Sequence, residues 1–78
     1  MLHELNILPE YFQAVKTGIK TFEVRKNDRG FEVGDILILR EWDGTYTGPN
    51  IKVKTTYILG NFEGLKEDYI VMAIVHIS

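Results

Sequence analysis

Lys20, Glu23, Arg25, Lys26, Asn27, Asp28 and Arg29 fall within ten positions, inside the stretch GIKTFEVRKNDRGFEVGD that runs from Gly18 to Asp35. Both charge signs and an amide placed this closely suit hydrogen bonding of a polar ligand from several sides. In an enzyme the same set would cast Lys20 as base or nucleophile, Glu23 as general acid/base and Arg25 as an oxyanion stabiliser. The plain alternative is a charged hairpin whose ions pair with one another, and exposed pairs of that kind contribute little. Residue types and spacing leave both readings open, and they name no ligand.

Positioning such a cluster falls to the elements around it. Thr21 to Arg25 reads as a strand, with Phe22 and Val24 on one face and Thr21, Glu23 and Arg25 on the other. A carboxylate and a guanidinium therefore share a polar face, and Lys20 at the strand's entrance leans toward it. Lys26 to Gly30 is a loop of turn-formers centred on Asn27 and Asp28. Before the cluster, Leu2 to Leu8 alternates loosely as a first strand. Pro9 suits the first turn of a helix, Tyr11, Phe12, Ala14 and Val15 give that helix an apolar face, and Gly18 caps it. A helix this short must pack on a sheet to persist.

After the cluster, Val33-Gly34-Asp35 forms a turn into Ile36–Leu39, apolar on both faces and so a central strand. Asp43-Gly44 signals a hairpin, and Tyr46 to Asn50 extends that connection. Ile51 to Leu59 alternates clearly, Gly60 to Asp68 is a polar loop, and Tyr69 to Ile77 is a last strand expected to be buried on both sides. Five strands, one helix and short connections predict a small mixed barrel with the helix covering an opening. Most aromatics read as core. Trp42 and Tyr46 flank a turn, where a ring either stacks on a nucleobase or caps the barrel end.

The chain of 78 residues has room for one domain, residues 1–78, and its 45% hydrophobic share suffices for a compact core. It contains no cysteine, which excludes disulfides and thiolate chemistry and fits a reducing cytoplasm. No signal-peptide pattern and no apolar run of roughly 20 residues is present, so a soluble cytoplasmic monomer without membrane contact is expected. The net charge of −2 argues against broad phosphate gripping, yet five basic residues lie between Lys16 and Arg29. Any nucleic-acid contact is therefore expected to be local. Glycine-rich phosphate loops are missing, and Ser78 is the only serine. No metal or other cofactor is expected, because His3 and His76 alone make a poor site even if the terminal strands pair.

The octet Gly18-Ile19-Lys20-Thr21-Phe22-Glu23-Val24-Arg25 resembles the G-x-K-x-x-E-x-R signature of ASCH domains, members of the PUA-like superfamily. Lys26 to Arg29, Val33-Gly34-Asp35 and Tyr46-Thr47-Gly48 are similar to one subfamily of short bacterial and phage proteins, and the match extends from about His3 to the end. The resemblance implies an α+β, mostly β fold: a five- to six-stranded mixed pseudo-barrel with one short covering helix. It implies a cleft between barrel and helix, into which Lys20, Glu23 and Arg25 project. The partner it implies is RNA, or a nucleotide-like ligand with its base held in that cleft. On this reading Arg25 and Arg29 contact phosphate, Glu23 and Asn27 read a base edge, and Tyr46 or Trp42 stacks. One bacterial branch hydrolyses the acyl amide of N4-acetylcytidine with a lysine, a threonine and a glutamate. Its lysine aligns with Lys20, but Glu23 stands where it has the threonine. A ribonuclease role, known in other branches, does not need that residue.

Overall fold

The computed structural model describes residues 1–77; Ser78 lies outside the described residues. The elements run β1 (Leu2–Ile7), α1 (Pro9–Lys16), β2 (Phe22–Lys26), β3 (Ile36–Trp42), β4 (Tyr46–Leu59) and β5 (Tyr69–His76). They form one curled five-stranded sheet in the order β1-β3-β4-β5-β2. The β1–β3 pair is parallel and the other pairs are antiparallel. Alternation along β1 turns His3, Leu5 and Ile7 inward. They meet Leu37 and Leu39 of β3, Val53 of β4 and Ile70, Met72 and Ile74 of β5, all buried. Phe12 and Val15 of α1 join this core, as the apolar spacing of the helix requires, and Phe31 between β2 and β3 joins it as well.

Pro9 occupies the first turn of α1, where its missing N–H is no loss. At the other end Thr17 N–H bonds Gln13 O and Gly18 N–H bonds Val15 O, so the last carbonyls find donors. Gly18 then turns out of the helix at φ +83°, with open space where a Cβ would stand. Only conformational strain opposes a side chain there. Gly18→Ala is therefore expected to lower stability by about 1 kcal/mol, a shift of roughly 5 °C in a thermal melt.

The sheet curls without closing. Ile74 N–H bonds Thr21 O and Asn27 N–H bonds Asp68 O, so odd-numbered residues of β2 point their backbone groups at β5. Phe22, Val24 and Lys26 then direct theirs to an open edge. Glu4 and Asn6 of β1 do likewise across the gap, and there the carbonyls are capped by side chains. Arg25 Nη2 donates to Asn6 O at 2.7 Å and Arg29 Nη1 to Glu4 O at 2.8 Å. The expected barrel is thus a half-barrel whose two edge strands are bridged by guanidinium groups.

Irregular pairing accounts for the other departures. Residues 46–50 belong to β4, because a register shift between Arg40 and Trp42 sets the three residues 47–49 opposite Glu41 as a bulge. A second shift, between Thr55 and Tyr57, reverses the parity of β4, leaving Tyr57 64% exposed. Along β5 only Ile70, Met72 and Ile74 are buried, so this strand is not covered on both faces. Several aromatics expected in the core, Tyr11, Phe22, Tyr57 and Phe62 among them, are exposed.

Candidate functional site

Glu23 is the inward-facing residue of an edge strand. Its neighbours Phe22 and Val24 face outward and are about half exposed, whereas Glu23 is 3% exposed. The polar face of β2 is the inner face. A lone carboxylate would be costly there, and the local sequence supplies two cations for it. Lys20 Nζ ion-pairs with Oε1, and Arg25 Nε donates to Oε2 at 3.0 Å. Lys20 arrives because Gly18 ends the helix and Lys20 N–H is fastened back to Ala14 O. Arg25 arrives because it lies two residues along the same strand face. Among the described residues no buried side-chain polar atom lacks a partner.

A cleft of about 650 Å³ opens above this triad. Asn6, Ile7 and Leu8 border it on the β1 side, Tyr11 on the helix, and Ile19 and residues 22–25 on the β2 side. Both faces of β2 line it because the cleft runs along the strand's open edge. Lys20 Nζ lies 5.6 Å from the centroid of Tyr11 and 5.2 Å from that of Phe22, so the ammonium sits between two half-exposed rings. The cleft therefore combines apolar and aromatic walls with a floor of hydrogen-bond donors, the composition of a small-ligand site.

The structure brings Lys20, Glu23 and Arg25 together and places the other candidates outside the lining of this cleft. Asn27 closes the loop after β2, its Oδ1 accepting from Phe31 N–H at 3.0 Å. Arg29 is engaged with Glu4 O. Tyr46 lies on the β3–β4 hairpin with the Arg40 guanidinium 3.7 Å from its ring centroid. The aromatics at the cleft are instead Tyr11 and Phe22. Phe22 escaped a reading by parity because that reading reserved its face for the core. Thr21 is exposed and outside the lining.

The two histidines stand apart, since β3 and β4 separate the terminal strands. His76 Nε2–H donates to Val15 O at the end of α1, 2.7 Å away. His3 is buried, in edge contact with Phe31, with Nε2 2.9 Å from Asp35 Oδ2. Asp35 is the centre of a second polar cluster that the sequence did not reveal. It also accepts from the Met1 ammonium at 2.9 Å and from Glu32 N–H at 3.0 Å. The ammonium foremost, then the Glu32 N–H, hold its carboxyl down at about 2 against the opposing effect of burial. Among the described residues no three His, Cys, Asp or Glu side chains gather as a metal site, and no helix is long and apolar enough to cross a membrane.

A five-stranded mixed half-barrel with one short helix and a cleft beside it defines a small PUA-like pseudo-barrel. The chain belongs to the family described as domain of unknown function DUF3850, whose model matches residues 2–74. It is 39% identical over 72 residues to an uncharacterized 12.9 kDa protein in the GpA 3′ region of Escherichia phage P2. That alignment takes in 91% of this chain and 65% of the phage protein, so the chain spans under two thirds of its relative. The crystal structure of hypothetical protein PH0355 superposes with a TM-score of 0.69, covering 99% of this chain and all of that one. At 22% identity, this likeness speaks for the fold alone.

Proposed function

We propose that this chain is an ASCH-type domain that holds a nucleobase, or a short single-stranded RNA segment, in the cleft between β2 and α1. The observation that carries the reading is the buried Glu23 with a cation on each side, at the floor of a cleft walled by Tyr11 and Phe22. Exposed rings offer a planar base a stacking surface that is indifferent to sequence. Lys20 and Arg25 supply donors beneath it, and Glu23 acts as a positioning residue that fixes both. A local site of this kind suits an acidic chain whose basic residues cluster between Lys16 and Arg29.

Chemical-shift mapping with short RNA oligonucleotides at low salt tests the proposal. Shifts are expected at Tyr11, Lys20 and residues 22–25, with a shallow salt dependence, because Lys20 and Arg25 are the cations in the lining of the cleft and both are paired with Glu23. Perturbations clustering elsewhere, or none at millimolar RNA, would remove the reading. The hydrolytic alternative is checked with labelled RNA and N4-acetylcytidine. Turnover that disappears in Lys20→Ala would make the site catalytic.

A further inference from the structure

We propose that the cleft selects bases presenting ring carbonyls as acceptors, guanine first, and discriminates against adenine; this rests on the nucleotide-binding reading above. The inference follows from which polar atoms remain free at the floor. Arg25 has five N–H donors, of which Nε is used by Glu23 and one on Nη2 by Asn6 O. Both Nη1 protons and the second Nη2 proton remain. Lys20 likewise keeps two of its three donors after pairing with Glu23. The one carboxylate that could read an amino group is withdrawn, since Glu23 is 3% exposed and each of its oxygens already accepts from a cation. The Asn6 amide at the border, and the open-edge backbone N–H and C=O groups of Phe22 and Val24, offer donors and acceptors alike and add no preference. The side chains a ligand meets at the floor of this cleft are therefore donors.

Guanine presents O6 and N7 as adjacent acceptors, the spacing a guanidinium fork satisfies with two bonds. Uracil presents single carbonyl oxygens. Adenine sets its N6 amino group beside N7, so one N–H of the fork would confront another N–H. Guanidinium orientation reinforces the choice: Nε on Glu23 and Nη2 on the β1 carbonyl hold the plane of Arg25 at two points before any ligand arrives.

Titration of the intact chain with GMP, UMP, AMP, 7-deaza-GMP and ribose 5-phosphate at low salt, followed by NMR, tests this. GMP is expected to bind about tenfold more tightly than AMP, the low end of what a bidentate base contact discriminates, with UMP between them. Loss of N7 in 7-deaza-GMP is expected to remove most of that advantage without any change to the protein. Arg25→Lys keeps the charge but not the fork, and is expected to bring GMP down to the level of AMP. AMP binding within twofold of GMP, or ribose 5-phosphate binding as tightly as GMP, would overturn the preference while leaving a nucleotide or phosphate site in place. Failure of every mononucleotide to shift a cleft residue would overturn the nucleotide reading and this inference with it.

Discussion

Glu23→Gln is expected to lower the melting temperature by roughly 10 °C, equivalent to about 2 kcal/mol in a domain of this size. The substitution keeps the shape of the side chain and removes its charge. Lys20 and Arg25, 15% and 25% exposed, are then left close together with no anion between them. A neutral amide can accept from one of them but must turn its NH₂ toward the other, so a donor faces a donor. Partial exposure of the two cations holds the cost below the ~3–5 kcal/mol of a fully buried broken pair. Ligand binding should move differently from stability. Overall affinity for phosphate-bearing ligands is expected to hold or rise slightly, because a negative charge has gone, while selectivity among bases narrows. A melt within the roughly ±0.5 kcal/mol spread of surface substitutions, with unchanged titrations, would return the β2 face to a solvated hairpin.

Asp35→Asn is expected to cost about 2–3 kcal/mol at neutral pH, and the cost should shrink in acid. The carboxylate is 4% exposed and accepts from the Met1 ammonium, His3 and Glu32 N–H. Its folded pKa is about 2 against an ordinary 3.8. The folded state therefore binds this proton more weakly than the unfolded state does. The stabilisation is fully present above the unfolded value and is lost as pH falls from about 5 through 2. A displacement of nearly two pH units corresponds to about 2 kcal/mol. Urea midpoints of wild type and variant at pH 7, 4 and 2.5 measure it. The two proteins should converge at the acid end, and an equal gap at all three pH values would show that the charge of Asp35 contributes nothing.

Much of this molecule follows from short-range pattern. Pro9 and Gly18 bracket the helix because one fixes φ and lacks a donor, while the other turns freely at φ +83°. Alternation along β2 puts Glu23 and Arg25 on one face whatever the rest of the chain does, and the capping glycine puts Lys20 within reach. Composition and connection lengths lead as far as a small mixed barrel, and the octet supplies the PUA-like resemblance. Which face of β2 turns inward is not a property of β2. The same alternation fits a strand with Phe22 and Val24 inside, and the choice is made by the pairing of Glu23 with Met72 and Arg25 with Ile70 on the core face of β5.

The remaining decisions are also non-local. Tyr57 left the core because a bulge at Thr55–Tyr57 advanced the strand by one residue, and a shift of one exchanges the two faces. Asp35 reads as part of a turn until the parallel pairing of β1 with β3 brings His3 to it from 32 positions away. The cleft is a consequence of closure that stops short. Side chains of Arg25 and Arg29, rather than backbone hydrogen bonds, span the two edges, so an open strand edge, two aromatic rings and the Lys20–Glu23–Arg25 triad face the same space. Local propensity fixes elements and the spacing of charges along them. Register and the route of sheet closure depend on contacts between residues far apart in the chain, and they alone decide which charges become a buried floor and which stay in water.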